Sequence, residues 1–455
     1  MRVVGIVPQE SFLVQAIAEI ATPLAGTPRD FDLLLDRIGD ARFVLLGEAT
    51  HGTHDFYRIR AELTKRLVRE KGFQAVAAEA DWPDAYRINR YIRGADNDAD
   101  AVDALGDFRR FPHWMWRNAD ILDLVGWLRS HNDQVRDPTV RVGFYGLDLY
   151  SLHSSMDAVL RYLDVRDPQA AHRARERYAC FDVFGPDPAG YGRALALGVA
   201  GTCEDEVIGQ LVDLLRHRNE LLRHDGVFAE DELFEAEQNA RVVTSAEEYY
   251  RTMYLGTGST WNLRDVHMSE TLEALAHHLA RRGPGKVVVW AHNSHVGDSS
   301  AMAHRALRDE ITIGHLVRRR HPRDTVLVGF TTHGGTVTAA SEWGAPAERK
   351  RVRPALDGSY EHLFHRARGL IGPNFMLMLD ALGEAAGALH EPRLHRAIGV
   401  VYRPDTERAS HYFHVHMPAQ LDVVIHCDET RALEPLERSA EWERGELAET
   451  FPTGL

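Results

Sequence analysis

Acidic and histidine side chains closely follow several short apolar runs along this 455-residue sequence. Five that could act together are Glu48, His51, Glu79, His292 and His295. Histidine exchanges protons near neutral pH, and a neighbouring carboxylate can fix its tautomer and support the imidazolium. The same side chains are also ligands for divalent metals. The residue types therefore indicate either hydrolysis by an activated water or a metal site, and they do not choose between the two.

The apolar runs are short and unbroken, which is typical of strands that helices cover on both faces of a parallel sheet. They are Phe43–Leu46, Ala75–Ala78, Val142–Tyr145, Val287–Trp290, Val326–Phe330, Ile398–Tyr402 and Val423–Ile425. Ligands in such sheets bind beyond the carboxyl ends of the strands. Asp148 also follows one of the runs. Parallel strands would therefore bring all these polar side chains into one crevice.

One arginine is predicted to lie on the buried face of the helix that follows the first site loop. The apolar residues that define this face are Phe56, Ile59, Leu63 and Leu67. At about 100° per residue, Arg60 falls within this stripe and Arg58 points to the opposite side. An unpaired buried cation costs on the order of 3–5 kcal/mol, so Arg60 needs Glu48 or Glu79 as a partner. The pair could be structural, or it could hold a catalytic carboxylate ionised or bind an oxyanion.

Tryptophans near the predicted site could form an apolar wall for a substrate. Trp82 lies just beyond Glu79 and is the best placed of them. Trp114 and Trp116 belong to the aromatic segment 108–116, whose alternative role is a patch of helix–helix core.

The predicted fold class is α/β, with a mostly parallel central sheet flanked by helices and an inserted helical lobe. Residues 86–140 and 160–282 lack strand-like runs, and the second stretch is too long for a plain crossover connection. We therefore assign 1–85 and 283–455 to the two parts of the α/β core. Residues 141–159 are assigned to a core strand, 86–140 to a helical insertion and 160–282 to the helical lobe.

Composition restricts the partners and the compartment. The net charge is −14, from 53 basic and 67 acidic residues, which argues against nucleic acid as a partner. The cysteines Cys180, Cys203 and Cys427 are too few and too scattered for a disulfide framework or a structural zinc site, and a reducing compartment fits them. Neither a secretory signal nor an apolar stretch of about 18 residues is evident. We therefore expect a cytoplasmic protein without membrane contact.

Several catalytic motifs are absent from the sequence. It contains no Gly-x-Ser-x-Gly, no His-Glu-x-x-His and no Gly-x-x-x-x-Gly-Lys. These absences disfavour a serine hydrolase, a zinc protease of that type and a P-loop enzyme. Water activated by histidine and carboxylate, with or without a metal and without a covalent acyl-enzyme, is the chemistry that remains.

In these features the chain resembles the erythromycin esterase family, including its branch described as related to succinoglycan biosynthesis. The matching motifs are Gly47-Glu48-x-x-His51-Gly52, Arg60, Glu79 and Trp290-Ala-His292-Asn293-x-His295, with similar segments at 111–118 and 261–265. The likeness runs from about Phe43 to Pro435. It implies an α/β core with a helical lobe and hydrolysis of an ester, without a tightly held metal. The active-site residues that it implies are Glu48, His51, Arg60, Glu79, His292 and His295.

We therefore predict a carboxylic ester hydrolase whose partner is a small-molecule ester, a macrolide or a related bulky lactone. His51 would act as general base, with Glu48 or Glu79 beside it. Arg60 and the two later histidines would orient the substrate or stabilise the oxyanion. The substrate contacts expected are Trp82, Trp114, Trp116, Asp148 and Asn293.

No metal or other cofactor is expected. The alternative is a metal-dependent hydrolase, or a protein that binds a small ligand in the same crevice. The divalent ion of that alternative would lie at Glu48, His51, Glu79, His292 and His295. The sequence predicts no oligomeric state.

Overall fold

The structure is a computed structural model that describes residues 7–185, 187–221, 226–256, 258–302, 309–381, 389 and 391–445. The strands in these ranges are β1 (Thr22–Pro23), β2 (Phe43–Leu46), β3 (Ala75–Asp81), β4 (Gly143–Asp148), β5 (Val287–Trp290), β6 (Thr325–Ala339), β7 (Glu348–Val352), β8 (Asn374–Met378), β9 (Arg393–Arg396), β10 (Tyr412–Val415) and β11 (Val423–Thr430).

The helices before β5 are α1 (Val7–Ile20), α2 (Asp32–Ile38), α3 (His54–Lys71), α4 (Trp82–Arg93), α5 (Ala101–Ala104), α6 (Ala119–Asp133), α7 (Leu152–Arg166), α8 (Pro168–Tyr178), α9 (Pro188–Ala196), α10 (Glu204–Arg216), α11 (Arg218–Leu221), α12 (Gly226–Leu255) and α13 (Thr260–Leu279). After β5 come α14 (Asn293–Val296), α15 (Ile313–Arg320), α16 (Tyr360–Ile371), α17 (Glu407–Ser410), α18 (Met417–Gln420) and α19 (Ala440–Arg444). Short 3-10 helices lie at Pro28–Phe31, His113–Met115, Pro138–Val140, Ala179–Phe184, Ser299–Ala301, Leu379–Ala381 and Pro404–Thr406.

A nine-stranded sheet forms the centre of the fold, in the order β1-β8-β11-β6-β2-β5-β3-β4 with β7 paired to β6. The six strands from β11 to β4 run parallel, and β8 pairs antiparallel to β11. The predicted α/β class with a mostly parallel sheet is confirmed. Leu45 of β2 pairs with Val289 and Leu327, so the first site strand lies in the middle of the sheet. The loop after β2 is thereby brought next to the loop after β5.

Successive residues of the central strands face opposite layers, as the pleat requires. Val44 and Leu46 contribute to the core beneath α2, α3, α4 and α6. Phe43 and Leu45 contribute to the opposite core, beneath α1, α13, α15 and α16. Helices therefore cover both faces, which explains why the strand β2 is apolar along its whole length.

The helices between β4 and β5 contain a third apolar cluster of their own, built from residues of α7, α8, α9, α10 and α12. Helix α13 differs from them, because Met268 and Leu272 belong to the core under the sheet. The boundaries drawn from the sequence for the lobe stay a prediction. None of the described helices is both long enough and apolar enough to cross a membrane.

Two sequence expectations need correction. Ile398–Tyr402 does not form a strand, because its backbone makes only single bridges, Ile398 to Thr50 and Val401 to Ala340. Ile398 and Tyr402 instead join a small cluster beside β6 and β7. Cys180 and Cys203, expected to be unpaired, form a disulfide because the lobe brings their Cα atoms to 6.0 Å. Cys427 is free and buried.

Candidate active site

The carboxyl ends of β2, β5, β3 and β4 and the loops after them lie side by side at one edge of the sheet, because these four strands are consecutive and parallel. The polar residues that they bring together are Glu48, His51, Glu79, Asp148, His292 and His295. Each is less than 9% exposed. The sheet topology thus places the sequence-predicted polar residues in one buried cluster.

Glu48 connects the first site histidine to the buried arginine of α3. One carboxylate oxygen, Oε1, lies 2.8 Å from His51 Nδ1, and Arg60 donates to the other. The Arg60 guanidinium lies over the rings of Tyr57 and Trp290, 4.4 and 4.5 Å from their centroids. Arg60 is 1% exposed, so it acts on Glu48 and is not among the residues that line the cavity described below. Of the two partners proposed from the sequence, the structure selects Glu48.

A second arginine, Arg264 of α13, joins the ends of β3 and β4. It donates to both oxygens of Asp148, at 2.9 and 2.6 Å, and to Glu79 Oε1 at 2.6 Å. The other oxygen of Glu79 accepts from the backbone N–H of His292 at 2.8 Å. Burial alone would raise the pKa of Glu79. His295, Arg264 and His51 outweigh burial and hold that pKa well below its usual range. Glu79 is therefore an ionised carboxylate.

His295 lies between two carboxylates. Its Nδ1 is 2.8 Å from Asp265 Oδ2, and its Nε2 is 3.4 Å from Glu79 Oε1. The indole of Trp261 stacks on the ring at a centroid distance of 4.4 Å. Burial opposes the charged form, but Asp265 and Glu79 together raise the pKa of His295 above its ordinary value. Arg264 Nη1 lies 3.1 Å from the same Nε2.

His292 is the neutral histidine of the cluster. Its ring lies 4.8 Å from the ring of His51. Burial first, and then the nearby His51, lower its pKa well below the ordinary value. Its Nδ1 accepts from the backbone N–H of Ser294 at 3.2 Å, which caps the short helix α14. His292 therefore bears its proton on Nε2.

These residues border a cavity of about 1450 Å³. His51, Glu79, Asp148, Arg264, His292 and His295 line it. Aromatic side chains, including Trp116, Tyr150 and Tyr250, line other parts of the same cavity. A large space with a charged floor and aromatic walls suits an organic ligand with one polar reacting group.

The predicted substrate contacts divide into two groups. Asp148 and Trp116 line the cavity. Trp82, Trp114 and Asn293 are at most 1% exposed and do not line it, which corrects their predicted role. Strand β3 continues to Asp81, so Trp82 begins α4 and packs against Tyr86, Tyr145 and Phe234.

Trp114 and Asn293 have structural roles instead. Trp114 belongs to the core beneath α4 and α6. Asn293 exchanges two hydrogen bonds with the backbone of Phe330, at 2.7 and 3.2 Å, and so braces β5 against β6.

Sequence reasoning missed Arg264, Asp265 and Trp261 as site residues. Arg264 lies 185 residues from Glu79 along the chain, and no periodicity pairs a helix residue with strands that distant. The one available signal was the likeness of segment 261–265 to the erythromycin esterases.

The metal alternative can be tested against the donor geometry. Within the described ranges, no three His, Cys, Asp or Glu side chains are arranged to hold a metal ion. Glu48 and Glu79 are each engaged by an arginine, and a guanidinium beside a carboxylate repels a further cation. Both carboxylates among the five residues considered from the sequence are therefore already paired with a cation.

Comparison with known proteins connects this site to a family. The family model for erythromycin esterase matches residues 68–430. The chain is 28% identical to erythromycin esterase type II of Escherichia coli over 147 residues, which are 31% of this chain and 33% of that protein. The match thus spans a third of that relative's length. The chain is also 20% identical to YbfO of Bacillus subtilis (strain 168) over 372 residues, 74% of this chain and 75% of that one.

Solved structures show the same fold. A Bacillus cereus protein has a TM-score of 0.76 at 19% identity, over 94% of this chain and 99% of its own. A succinoglycan biosynthesis protein has a TM-score of 0.72 at 20% identity, over 93% and 98%. A mutant of the erythromycin esterase EreC in its open conformation has a TM-score of 0.64 at 17% identity, over 92% and 96%.

The burial of Arg60 leads to a prediction about stability. Arg60→Ala leaves the Glu48 carboxylate buried without its cation, so we expect a loss of about 3–5 kcal/mol in the free energy of unfolding. Arg58→Ala is the matched control on the same helix, because Arg58 is exposed. It should change that free energy by less than about 0.5 kcal/mol. Chemical denaturation of both variants measures the difference, and equal losses would contradict the pairing.

The contact between Asp265 and His295 leads to a prediction about protonation. A raised folded-state pKa means that the stabilisation is complete below about pH 6.5, the unfolded value, and is lost as pH rises through the folded pKa. Asp265→Asn should lower the pKa of His295, measured by NMR titration of labelled histidines. It should also reduce the fall in the free energy of unfolding as the pH rises above about 6.5. Asp120→Asn, which removes the partner of His54, is the control. An unchanged His295 titration in the Asp265 variant would refute the assignment.

Proposed function

The chain belongs to the erythromycin esterase family, and from this premise we propose that it is a carboxylic ester hydrolase in which His51 activates a water molecule. The observation that carries the proposal is the arrangement of His51. Glu48 engages its Nδ1, and no residue in the described ranges forms a hydrogen bond to its Nε2, while the side chain lines the cavity. Nε2 is thus the acceptor that a general base needs.

In the proposed reaction, His51 Nε2 takes a proton from water as the oxygen attacks the carbonyl carbon of the ester. The carbon–oxygen double bond opens to a tetrahedral oxyanion. The intermediate then expels the alkoxide, which takes the proton back from the imidazolium. Glu48 fixes the tautomer of His51 and offsets the positive charge that forms, and Arg60 donates to the other oxygen of Glu48.

Arg264 and His295 are the groups proposed to stabilise the oxyanion. Both line the cavity, Arg264 is a cation, and Asp265 and Glu79 raise the pKa of His295 despite its burial. Removing one donor to an oxyanion typically lowers the rate by about 10²–10³-fold. Arg264 therefore takes the role that the sequence had offered to Arg60.

A covalent route through Ser294 has weaker support. Its Oγ lies 2.8 Å from His292 Nδ1, and both residues line the cavity. The contact spans only two residues of a helix cap, and burial keeps the pKa of His292 low. Glu79 accepts a hydrogen bond from the backbone N–H of His292 and not from its imidazole ring, so it does not orient that ring as Glu48 orients the ring of His51. Hydrolysis by direct water attack is therefore favoured.

The substrate class follows from the size of the cavity. Pockets for drug-sized ligands typically enclose about 300–1000 Å³, and this cavity, at about 1450 Å³, is larger. Its aromatic walls favour a ligand with extended apolar surface. We propose a bulky ester or lactone of the macrolide type.

The substrate proposal predicts turnover of a macrolide or a related bulky lactone. Incubation followed by mass spectrometry should show a product heavier by one water, because ring opening adds water across the ester bond. The His51→Ala protein serves as the blank. If folded protein converts no compound in a broad panel of lactones and esters, the esterase assignment is wrong.

The mechanism predicts activity that does not depend on a metal. Exhaustive chelation should leave hydrolysis intact, His51→Ala should abolish it, and Ser294→Ala should retain it within about tenfold. Mass spectrometry of the protein during turnover should find no acylated residue. Loss of activity on chelation, restored by one added divalent metal, would reassign His51 from base to ligand.

A further inference from the structure

Trp343 is an exposed tryptophan at the edge of the cavity. It leaves 73% of its surface exposed, yet it lines the same cavity as the catalytic residues. A tryptophan side chain can bury about 150–250 Å² of surface, so its exposure leaves a large apolar area without a partner. An exposed aromatic at the solvent-facing end of a ligand cavity is available to bind a ligand.

A second aromatic residue from a distant part of the sequence meets Trp343. Phe111 lies edge-on to it at a ring-centroid distance of 5.0 Å, and Phe111 also lines the cavity. Trp343 lies between β6 and β7, whereas Phe111 precedes the 3-10 helix at His113–Met115. We call this pair the aromatic rim. Trp116 continues the aromatic lining from the rim towards the core.

The backbone that carries Trp343 is held in place although most of the side chain is exposed. Ala340 exchanges backbone hydrogen bonds with Val400 and Tyr402, at 2.9 and 3.0 Å. Arg403 donates to the carbonyl of Ser341 at 3.0 Å. Gly344 then turns the chain at a φ of 82°, which favours glycine. The segment therefore presents its indole from a fixed base.

We propose that the aromatic rim selects the substrate by binding the apolar face of the ester's bulky part, away from the bond that is cleaved. The proposal rests on the proposed hydrolase function. The charged residues around His51 are suited to the reacting ester group, whereas the rim offers apolar contact alone. Trp343 is thus a specificity-determining residue that takes no part in the chemical step.

The test compares a bulky substrate with a small one. With erythromycin A, Trp343→Ala should raise KM about tenfold, which corresponds to about 1.4 kcal/mol of binding, and kcat should change by less than about twofold. With 4-nitrophenyl acetate, which is too small to contact both the rim and the catalytic residues, KM and kcat should stay the same. Trp343→Phe should restore most of the affinity for erythromycin A.

The matched control is Trp127→Ala on α6. Trp127 is partly buried, stacks on His131 at 5.2 Å, and is not among the residues that line the cavity. Its removal should leave the ratio of the two substrates' KM values unchanged. If Trp127→Ala changes that ratio as much as Trp343→Ala does, the proposal is overturned.

Binding without turnover separates the two hypotheses. The dissociation constant of erythromycin A is measured by calorimetry in the His51→Ala background, with and without Trp343→Ala. Weaker binding after removal of Trp343 supports the rim even if no ester is hydrolysed, an outcome in which only the hydrolase proposal fails. Unchanged binding and KM overturn the rim while hydrolysis stands. If erythromycin A does not bind the His51→Ala protein that retains Trp343, the proposal for the aromatic rim is also overturned.

Discussion

Burying several carboxylates at one edge of a parallel sheet is costly unless cations are buried with them. The parallel order of β2, β5, β3 and β4 forces this situation, because β2, β3 and β4 each end in or near an acidic residue. Arg60 offsets Glu48, and Arg264 offsets Glu79 and Asp148. The rest of the site depends on these two arginines, since they decide which oxygens and nitrogens remain free for chemistry.

The surroundings of each arginine match its role. Arg60 lies over Tyr57 and Trp290 and does not line the cavity, and its charge is paired with Glu48. Arg264 approaches from α13 and lines the cavity, so its charge can act on a ligand as well as on the carboxylates. His51 lies within hydrogen-bond distance of Glu48 in the first arrangement and lines the same cavity as Arg264 of the second. The two arginines thus come from helices packed on opposite faces of the sheet, α3 and α13.

The sequence predicted the part of this arrangement that local rules determine. Unbroken apolar runs located the central strands, and the helical phase of α3 placed Arg60 in the core and Arg58 at the surface. Arg264 could not be found by such rules, because its partners lie 116 and 185 residues away and only the tertiary fold joins them. The same limit explains the Cys180–Cys203 disulfide, which depends on how the lobe helices pack.

Errors in side-chain direction have a simpler physical cause. Trp82 is predicted to line the cavity because it follows Glu79 by three residues in the sequence. Strand β3 continues past Glu79 to Asp81, however, and Trp82 is the first residue of α4. This change of backbone direction turns its indole into the core.

The site therefore consists of two parts under different constraints. The floor is a closed set of charges in which a change at Glu48 or Arg264 leaves a partner unpaired, so its residues constrain one another. The aromatic walls come from separate segments, the stretch around Phe111, the β6–β7 connection and helix α12, and contribute contact without charge. Replacing a wall residue alters which ligand fits and leaves the charge balance intact. Charge pairing thus constrains the floor of the cavity, whereas packing and apolar contact constrain its aromatic walls.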